Sequence, residues 1–246
     1  MVINMKSVLL QPSYLPWIGV FGMIDITDVF IFYDDVQFVQ KSWQQRNKIK
    51  LQNDPIWLTV PILKKFGQNV NEAKINNSIN WTKKHWNSIY HAYNKAPYFD
   101  NYSKEISQIY NTDWDYLCDL NIHVIKILSE LLMLDKPKFM KSSDIKDIEG
   151  KKTDRILDIL NSLNIDESIG GPAAKDYIEP VKFKNNNIKL YWYEFIHPVY
   201  PQIGGDFIPY LSVIDLLFNT GEKARDYLKE GYKDSLKLDS IFNGGL

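Results

Sequence analysis

The sequence contains a single cysteine, Cys118, among its 246 residues. One cysteine cannot form an intramolecular disulfide, and it cannot supply the cysteine cluster of a structural zinc site. The apolar residues around it recur at helical spacing, so we expect its thiol to be buried in a helix. The four histidines also lack zinc-ligand spacing, since His85 and His91 are six residues apart. We therefore predict no metal site built from these residue types.

The chain also lacks an excess of charge and a long apolar run. It has 29 basic and 30 acidic residues, which gives a net charge of −1. Because nucleic acids and anionic membranes attract an excess of positive charge, we expect neither as a partner. No apolar run approaches the roughly 20 residues that span a bilayer, and the one at the start is too short for a signal peptide. The expected location is the cytoplasm, and the oligomeric state is left open.

Neither a P-loop nor a GxGxxG motif is present, but the apolar pattern is that of an α/β protein. Residues 6–10 and 28–33 are typical of strands covered on both faces in a parallel sheet, and residues 17–25 between them favour a short helix. Further apolar segments alternate as predicted strands and helices at 138–140, 150–164, 168–169, 189–195 and 212–228. This alternation predicts a Rossmann-like α/β fold with a mostly parallel sheet.

A largely helical segment interrupts this alternation. Residues 47–51 and 56–60 predict a hairpin around the breaker Asn53-Asp54-Pro55. Helical periodicity then predicts three helices, over residues 81–93, 101–111 and 114–133. Since no linker or low-complexity tract is visible, we predict one domain over residues 1–246 with a helical insertion at 80–135.

The loop after the first strand, QPSYLPWIG, carries candidate ligand-binding residues. In open α/β sheets ligands bind beyond the carboxyl ends of the strands. Gln11 offers an amide that donates and accepts hydrogen bonds, and Tyr14 and Trp17 offer flat faces for a base or sugar ring. Gly19 permits close approach of a ligand or of another backbone. The alternative interpretation is a proline-stiffened turn whose aromatic rings fill the core.

Two more candidate groups follow later predicted strands. Asp34 and Asp35 end the second strand, where they could bind a ribose hydroxyl or Mg²⁺, or act as a base; a solvated strand end is equally compatible. Gly170 and Gly171 follow a strand and precede a possible helix, so their backbone N–H groups could hold an anion.

The hairpin and the segment after the last long strand provide the remaining candidates. Arg46 and Asn47 could clamp a phosphate or carboxylate, although hairpin arginines are often simply solvated. His197 follows an apolar strand and precedes a proline, which suits a proton carrier. Asp215 lies within an apolar helix and needs a buried partner, for which His197, Arg46 and a backbone N–H are candidates; a purely structural hydrogen bond explains it equally well. Tyr200 and Gln202 lie near His197 in the chain and are further candidate substrate-binding residues.

Several long motifs resemble the WbqC-like protein family across nearly the whole chain: QPSYLPWIGVFGMIDITDVFIFYDDVQF, SWQQRNKIK, WLTVPI, KTDRIL, HPVYPQ and SVIDLLFNTG. The resemblance implies a prokaryotic protein of surface-polysaccharide biosynthesis that attaches an amino acid, notably glycine, to an amino sugar. It thus implies an aminoacyl or acyl transferase acting on a nucleotide-linked amino sugar. In that hypothesis His197, tuned by Asp215 or Asp35, accepts the proton of the attacking amine.

A more distant resemblance is to the nucleotidylyltransferase superfamily, which implies an adenylate-forming or nucleotidylyl-transfer enzyme using ATP and Mg²⁺. Trp17-Ile18-Gly19 stands where that superfamily has a His-x-Gly pattern, so its phosphate-binding histidine is missing. A third hypothesis, from a different class, is a non-catalytic protein that binds a nucleotide-linked sugar.

Overall fold

The apolar run near the start of the chain forms the centre of a six-stranded sheet. The structure is a computed structural model that describes residues 4–134 and 137–242. Its strands are β1 (Lys6–Leu10), β2 (Val29–Phe32), β3 (Arg46–Leu51), β4 (Asp54–Thr59), β5 (Lys138–Lys141), β6 (Glu167–Gly170), β7 (Lys189–Tyr193) and β8 (Leu236–Leu238). Its α-helices are α1 (Ile18–Asp25), α2 (Trp81–Tyr93), α3 (Phe99–Tyr110), α4 (Leu117–Leu131), α5 (Thr153–Ser162), α6 (Pro180–Asn185), α7 (Val213–Thr220) and α8 (Ala224–Tyr232).

The strand order of the sheet is β5-β2-β1-β6-β7-β8. The first five strands are parallel, and only β8 runs antiparallel to its neighbour β7. The chain therefore builds outward from β1 in both directions, which makes the carboxyl ends of β1 and β6 a topological switch point. Ligands of open α/β sheets bind at such a point. The predicted α/β fold with a mostly parallel, Rossmann-like sheet is confirmed.

The helices α2, α3 and α4 lie between β2 and β5, together with the separate hairpin β3–β4. Their buried side chains join those of one sheet face in a single apolar cluster, which includes Phe30, Ile89, Ile106, Leu117 and Leu217. The other face is covered by α5 and α6, whose residues pack with Ile31 and Leu190 in a second cluster. The helical segment and one face of the sheet thus form one common core. Within the described residues, no helix is both long and apolar enough to cross a membrane.

Three local features differ from the expectation. The hairpin turns at Gln52-Asn53, with Gln52 at φ +57, and Pro55 belongs to β4. The segment after Gly171 forms a short 3-10 turn, Pro172–Asp176, where a helix was possible. Helix α6 and strand β8 were not predicted because six and three residues are too short for a periodic signal.

Candidate functional site at the carboxyl edge of the sheet

The loop after β1 is held against the start of the hairpin β3–β4. Tyr14 N–H donates to Trp43 O at 3.1 Å, and the buried Asn121 amide donates to Pro12 O at 3.0 Å and to Gln44 O at 2.8 Å. The exposed Gln11 accepts a 2.7 Å hydrogen bond on Oε1 from Gln44 Nε2. This bond leaves the Nε2 donors of Gln11 for a ligand or solvent at the switch point.

Tyr14 is not a stacking surface for a ligand. Its side chain is fully buried, and its Oη lies 2.9 Å from His85 Nδ1 and 2.8 Å from Tyr110 Oη. Burial lowers the pKa of His85 to about 4, so this imidazole is neutral at pH 7 and faces the core. The expectation that Tyr14 stacks on a base is corrected: the ring fastens the β1 loop to α2 and α3.

Tyr14→Phe is expected to lower the free energy of unfolding by about 1–2 kcal/mol, because it removes the hydroxyl from a buried hydrogen-bond network. Urea denaturation followed by circular dichroism measures this loss. Because the ring contacts no ligand-accessible surface, affinity for any ligand of the site stays within about twofold. If Tyr14→Phe lowers the free energy of ligand binding by more than the free energy of unfolding, Tyr14 contacts the ligand and the correction is wrong.

Trp17 connects the β1 loop to the segment after β7. Its half-buried ring lies nearly parallel to that of His197, with centroids 6.3 Å apart, and edge-on to Phe195 at 5.3 Å. A Cβ atom at Gly19 would lie 2.2 Å from the Trp17 indole. Gly19 therefore makes room for the protein's own tryptophan, and the expectation that it admits a ligand is corrected.

His197 faces the β1 loop, as the transferase hypothesis requires. Its Nδ1 lies 2.8 Å from Pro198 O, which identifies Nδ1 as the protonated nitrogen, and Nε2 accepts a 3.2 Å hydrogen bond from Tyr210 N–H. Burial lowers the pKa of His197, while the Pro198 carbonyl acts in the opposite direction. The imidazole is thus neutral at pH 7, and the lone pair of its Nε2 is engaged by Tyr210 N–H.

Asp215 is enclosed in a hydrogen-bond network of its own. Its carboxylate accepts from Tyr93 Oη at 2.9 Å, Tyr200 Oη at 3.0 Å and Gln202 Nε2 at 2.9 Å. Among the described residues no hydrogen bond joins it to His197; the ring of Tyr200 lies 6.2 Å from the imidazole. The expected direct pairing is therefore not formed, and the side chains of Tyr200 and Gln202 are engaged with Asp215.

Asp34 and Asp35 are satisfied by residues that follow β5. The buried Asp34 carboxylate accepts from Ser143 N–H at 3.0 Å and Ser143 Oγ at 2.8 Å. The Ser142 hydroxyl donates to Asp35 at 2.6 Å. Cys118 is buried as predicted, with Sγ 4.0 Å from Asp34. Because these oxygens are occupied, the pair does not fit Mg²⁺ binding, which was one of three roles considered for it. The described residues also contain no cluster of three or more His, Cys, Asp or Glu suited to a metal.

Arg155 completes this group. Its guanidinium forms an ion pair with Asp35 and donates to Ile148 O at 3.3 Å. Arg155 belongs to the charged run KKTDR at the start of α5, which has the pattern of a solvated first turn. The parallel sheet brings this turn beside the carboxyl end of β2. Tyr33 lies next to Arg155. Burial raises the pKa of Tyr33, against the opposing effect of the Arg155 charge.

Two exposed tryptophans lie on the hairpin and on the turn that precedes it. Trp43 and Trp57 are 50% and 42% exposed, and their ring centroids lie 5.5 Å apart. The Arg46 guanidinium lies 4.1 Å from the Trp57 ring centroid, and Lys48 Nζ lies 4.9 Å from it. We call these four residues the hairpin platform. Asn47 is buried and donates to Leu15 O at 2.6 Å, so its role is to anchor the β1 loop.

The diglycine turn lies at the other side of the switch point, after β6. A Cβ atom at Gly170 would approach the Trp192 ring to 2.8 Å, so this glycine is required for packing within the fold. Gly171 is half-buried, and a Cβ there would make only an ordinary 3.5 Å contact with Met23. Of the two, only Gly171 has the space for a ligand to approach.

Residues 11–227 match the sequence profile of the WbqC-like protein family. The chain belongs to the WbqC-like protein family. It is also similar to a Mycobacterium tuberculosis protein named as uncharacterized protein Rv1507c, with 32% identity over 228 residues that cover 91% of this chain and 97% of the relative. No solved structure matches the chain. The predicted family is confirmed.

In this WbqC-like protein Trp17 and His197 pack together, and backbone hydrogen bonds connect their segments to strand β3 of the hairpin. Ser212 N–H donates to Lys48 O at 2.9 Å and its backbone pairs with that of Trp17, which joins the platform to the loop that carries His197. Tyr210, 53% exposed, packs against both Trp17 and His197. A cavity of about 400 Å³ lies apart from this group, beside the edge strand β5.

Proposed function

We propose that this WbqC-like protein binds a nucleotide-linked amino sugar at the switch point and transfers an acyl or aminoacyl group to its amine. The observation that carries the proposal is the hairpin platform, whose start is connected to Gln11 by the hydrogen bond from Gln44. Exposed tryptophans with an arginine and a lysine packed on one ring form a surface that is both flat and cationic. A nucleotide-linked sugar offers the complementary groups, which are flat rings and a diphosphate.

Each part of the ligand then has a chemical counterpart. Trp43 and Trp57 stack on the base or on a sugar face. Arg46 and Lys48 neutralise the diphosphate, since a guanidinium over an aromatic ring keeps its in-plane N–H donors. The amide of Gln11 hydrogen-bonds to a sugar hydroxyl, and the Gly171 turn permits close backbone approach.

The transfer step forms one bond and breaks one. The sugar amine attacks the carbonyl carbon of an activated acyl donor, the new C–N bond forms, and the donor's leaving group departs with the bonding electron pair. The proton lost from the amine passes to His197 Nε2. To accept it, Nε2 gives up the 3.2 Å hydrogen bond that it receives from Tyr210 N–H. Holding both substrates together contributes to the rate by proximity. Since Asp34 and Asp35 do not fit Mg²⁺, the proposal uses a donor activated elsewhere.

A second candidate function is non-catalytic binding of the same ligand. It is favoured by the engagement of both ring nitrogens of His197 with backbone groups. In that case the imidazole only shapes the surface formed with Trp17 and Tyr210, and no proton needs to move.

The test incubates the protein with UDP-glucosamine and a panel of activated glycine and acyl donors, and follows acylated product by mass spectrometry. UDP-glucose, which has no amine, is the control substrate. We expect His197→Ala to lower turnover about 100-fold or more while the Kd for UDP-glucosamine changes little. His91→Ala, an exposed histidine of α2, should leave both unchanged. Binding without product, with His197→Ala also binding normally, would support the non-catalytic function.

A further inference from the structure

A second concave site lies between α4 and the edge strand β5. The cavity of about 400 Å³ has four residues of one face of α4 on one side, at positions i, i+3, i+4 and i+7: Asp119, Ile122, His123 and Lys126. Phe139, Met140 and Lys141 of β5 lie on the other side, and Trp114 precedes α4 at one end. Its volume lies within the usual range for small-molecule sites. We call it the β5 cleft.

Two polar groups of the β5 cleft have ring contacts but no hydrogen bond or ion pair among the described residues. Among the described residues Lys126 forms no ion pair, and its Nζ lies 5.9 Å from the Phe139 ring centroid. The ring nitrogens of His123 form no hydrogen bond within the same residues, although the ring packs on Trp114 with centroids 4.9 Å apart. Lys141 differs, since it pairs with Asp144 at 3.6 Å. The cleft therefore offers one cation without an ion pair and one free imidazole, together with the Asp119 carboxylate, which also forms no ion pair among the described residues.

The charges are arranged unevenly along α4. Asp119 and Lys126 are seven residues apart, which corresponds to about 10 Å along a helix. Since Asp144 compensates Lys141, the positive charge is concentrated at the Lys126 end, where His123 also lies. Phe139 and Trp114 supply apolar walls next to these two side chains.

We propose that the β5 cleft binds a small organic anion with a flat apolar body. The carboxylate of the ligand accepts hydrogen bonds from Lys126 Nζ and from a His123 ring N–H, and its apolar body lies between Trp114 and Phe139. This site goes beyond the proposed function and does not depend on it, because it shares no residue with the hairpin platform or with the His197 group.

Benzoate is a suitable probe, and the four histidine Cε1–H signals in NMR spectra report where it binds. The pKa of His123 is lowered by burial and by Lys126, against the opposing effect of Glu130. A bound carboxylate adds a negative charge next to the imidazole and should therefore raise this pKa. His123→Gln assigns the signal. We expect benzoate to shift the His123 signal saturably and to raise the pKa of His123. Asp119, Lys141 and Asp144 are left unmutated in every variant. Neutral benzamide and cationic benzylamine should bind about fivefold more weakly or not at all.

Two variants at exposed positions complete the test. Lys126→Met should weaken benzoate binding at least about fivefold, and Lys104→Met, on the exposed side of α3, should change it less than twofold. Melting temperatures confirm that both variants fold. The proposal is overturned if benzoate leaves His123 unshifted, if benzamide binds equally well, or if Lys126→Met has no effect. None of these outcomes bears on UDP-glucosamine binding, so a failure here is separable from a failure of the proposed function.

Discussion

Asp215→Ala is expected to lower the free energy of unfolding by about 3 kcal/mol, because three buried donors lose their acceptor. The carboxylate is fully buried and joins Tyr93, Tyr200 and Gln202, which come from α2 and from the segment that follows β7. Natural domains have about 5–15 kcal/mol of stability, so this single change removes a large fraction. Urea denaturation at pH 7 measures the effect.

Asp226→Ala is the matched control, since Asp226 is an exposed aspartate of α8. It should change the free energy of unfolding by less than about 0.5 kcal/mol. A loss below about 1 kcal/mol in Asp215→Ala would mean that the buried donors find other acceptors, which would contradict the structural role assigned here.

The same carboxyl should also make stability depend on pH. Burial is the largest influence on Asp215 and raises its pKa from 3.8 to about 6, against the opposing effect of its hydrogen-bond donors. Between these values the folded state binds more protons than the unfolded state. The free energy of unfolding contributed by this group therefore falls as the pH rises from about 4 to 6, by up to about 3 kcal/mol. Asp215→Asn should lack this decline. If the free energy of unfolding depends on pH in the same way in Asp215→Asn and in the unmutated protein, Asp215 is not the group responsible.

Trp57→Ala is expected to weaken binding of UDP-glucosamine about 10- to 100-fold. Stacking of one base on an aromatic side chain contributes about 1–3 kcal/mol, and Arg46 also loses the ring over which it lies. Isothermal titration calorimetry measures the Kd. Arg46→Met should weaken binding less in high salt than in low salt, because its contribution is mainly electrostatic.

The control for this change is Phe66→Ala. Phe66 is a fully exposed aromatic residue whose ring contacts no residue of the hairpin platform, so its loss should leave the Kd unchanged. If Trp57→Ala and Phe66→Ala change the Kd for UDP-glucosamine equally, the hairpin platform does not bind this ligand.

The sheet was predictable from the sequence because β2, whose four residues are all buried, is a continuous apolar run. The positions of several site residues were not. The burial of Tyr14 depends on His85 and Tyr110, which are 71 and 96 residues away, and no local pattern reports such partners. Arg155 looks like a solvated helix turn until the crossover places it beside β2. Trp57 stands in β4 between the half-buried Ile56 and the buried Leu58, in an apolar run that equally fits a core residue.

The position of the bound nucleotide-linked sugar is the most direct test of the account. Hydrogen–deuterium exchange with and without saturating UDP-glucosamine measures it peptide by peptide. Binding at the switch point should slow exchange in residues 10–15, 42–48 and 170–177. Protection confined to residues 114–126 and 138–144 would place the sugar in the β5 cleft and contradict the central claim.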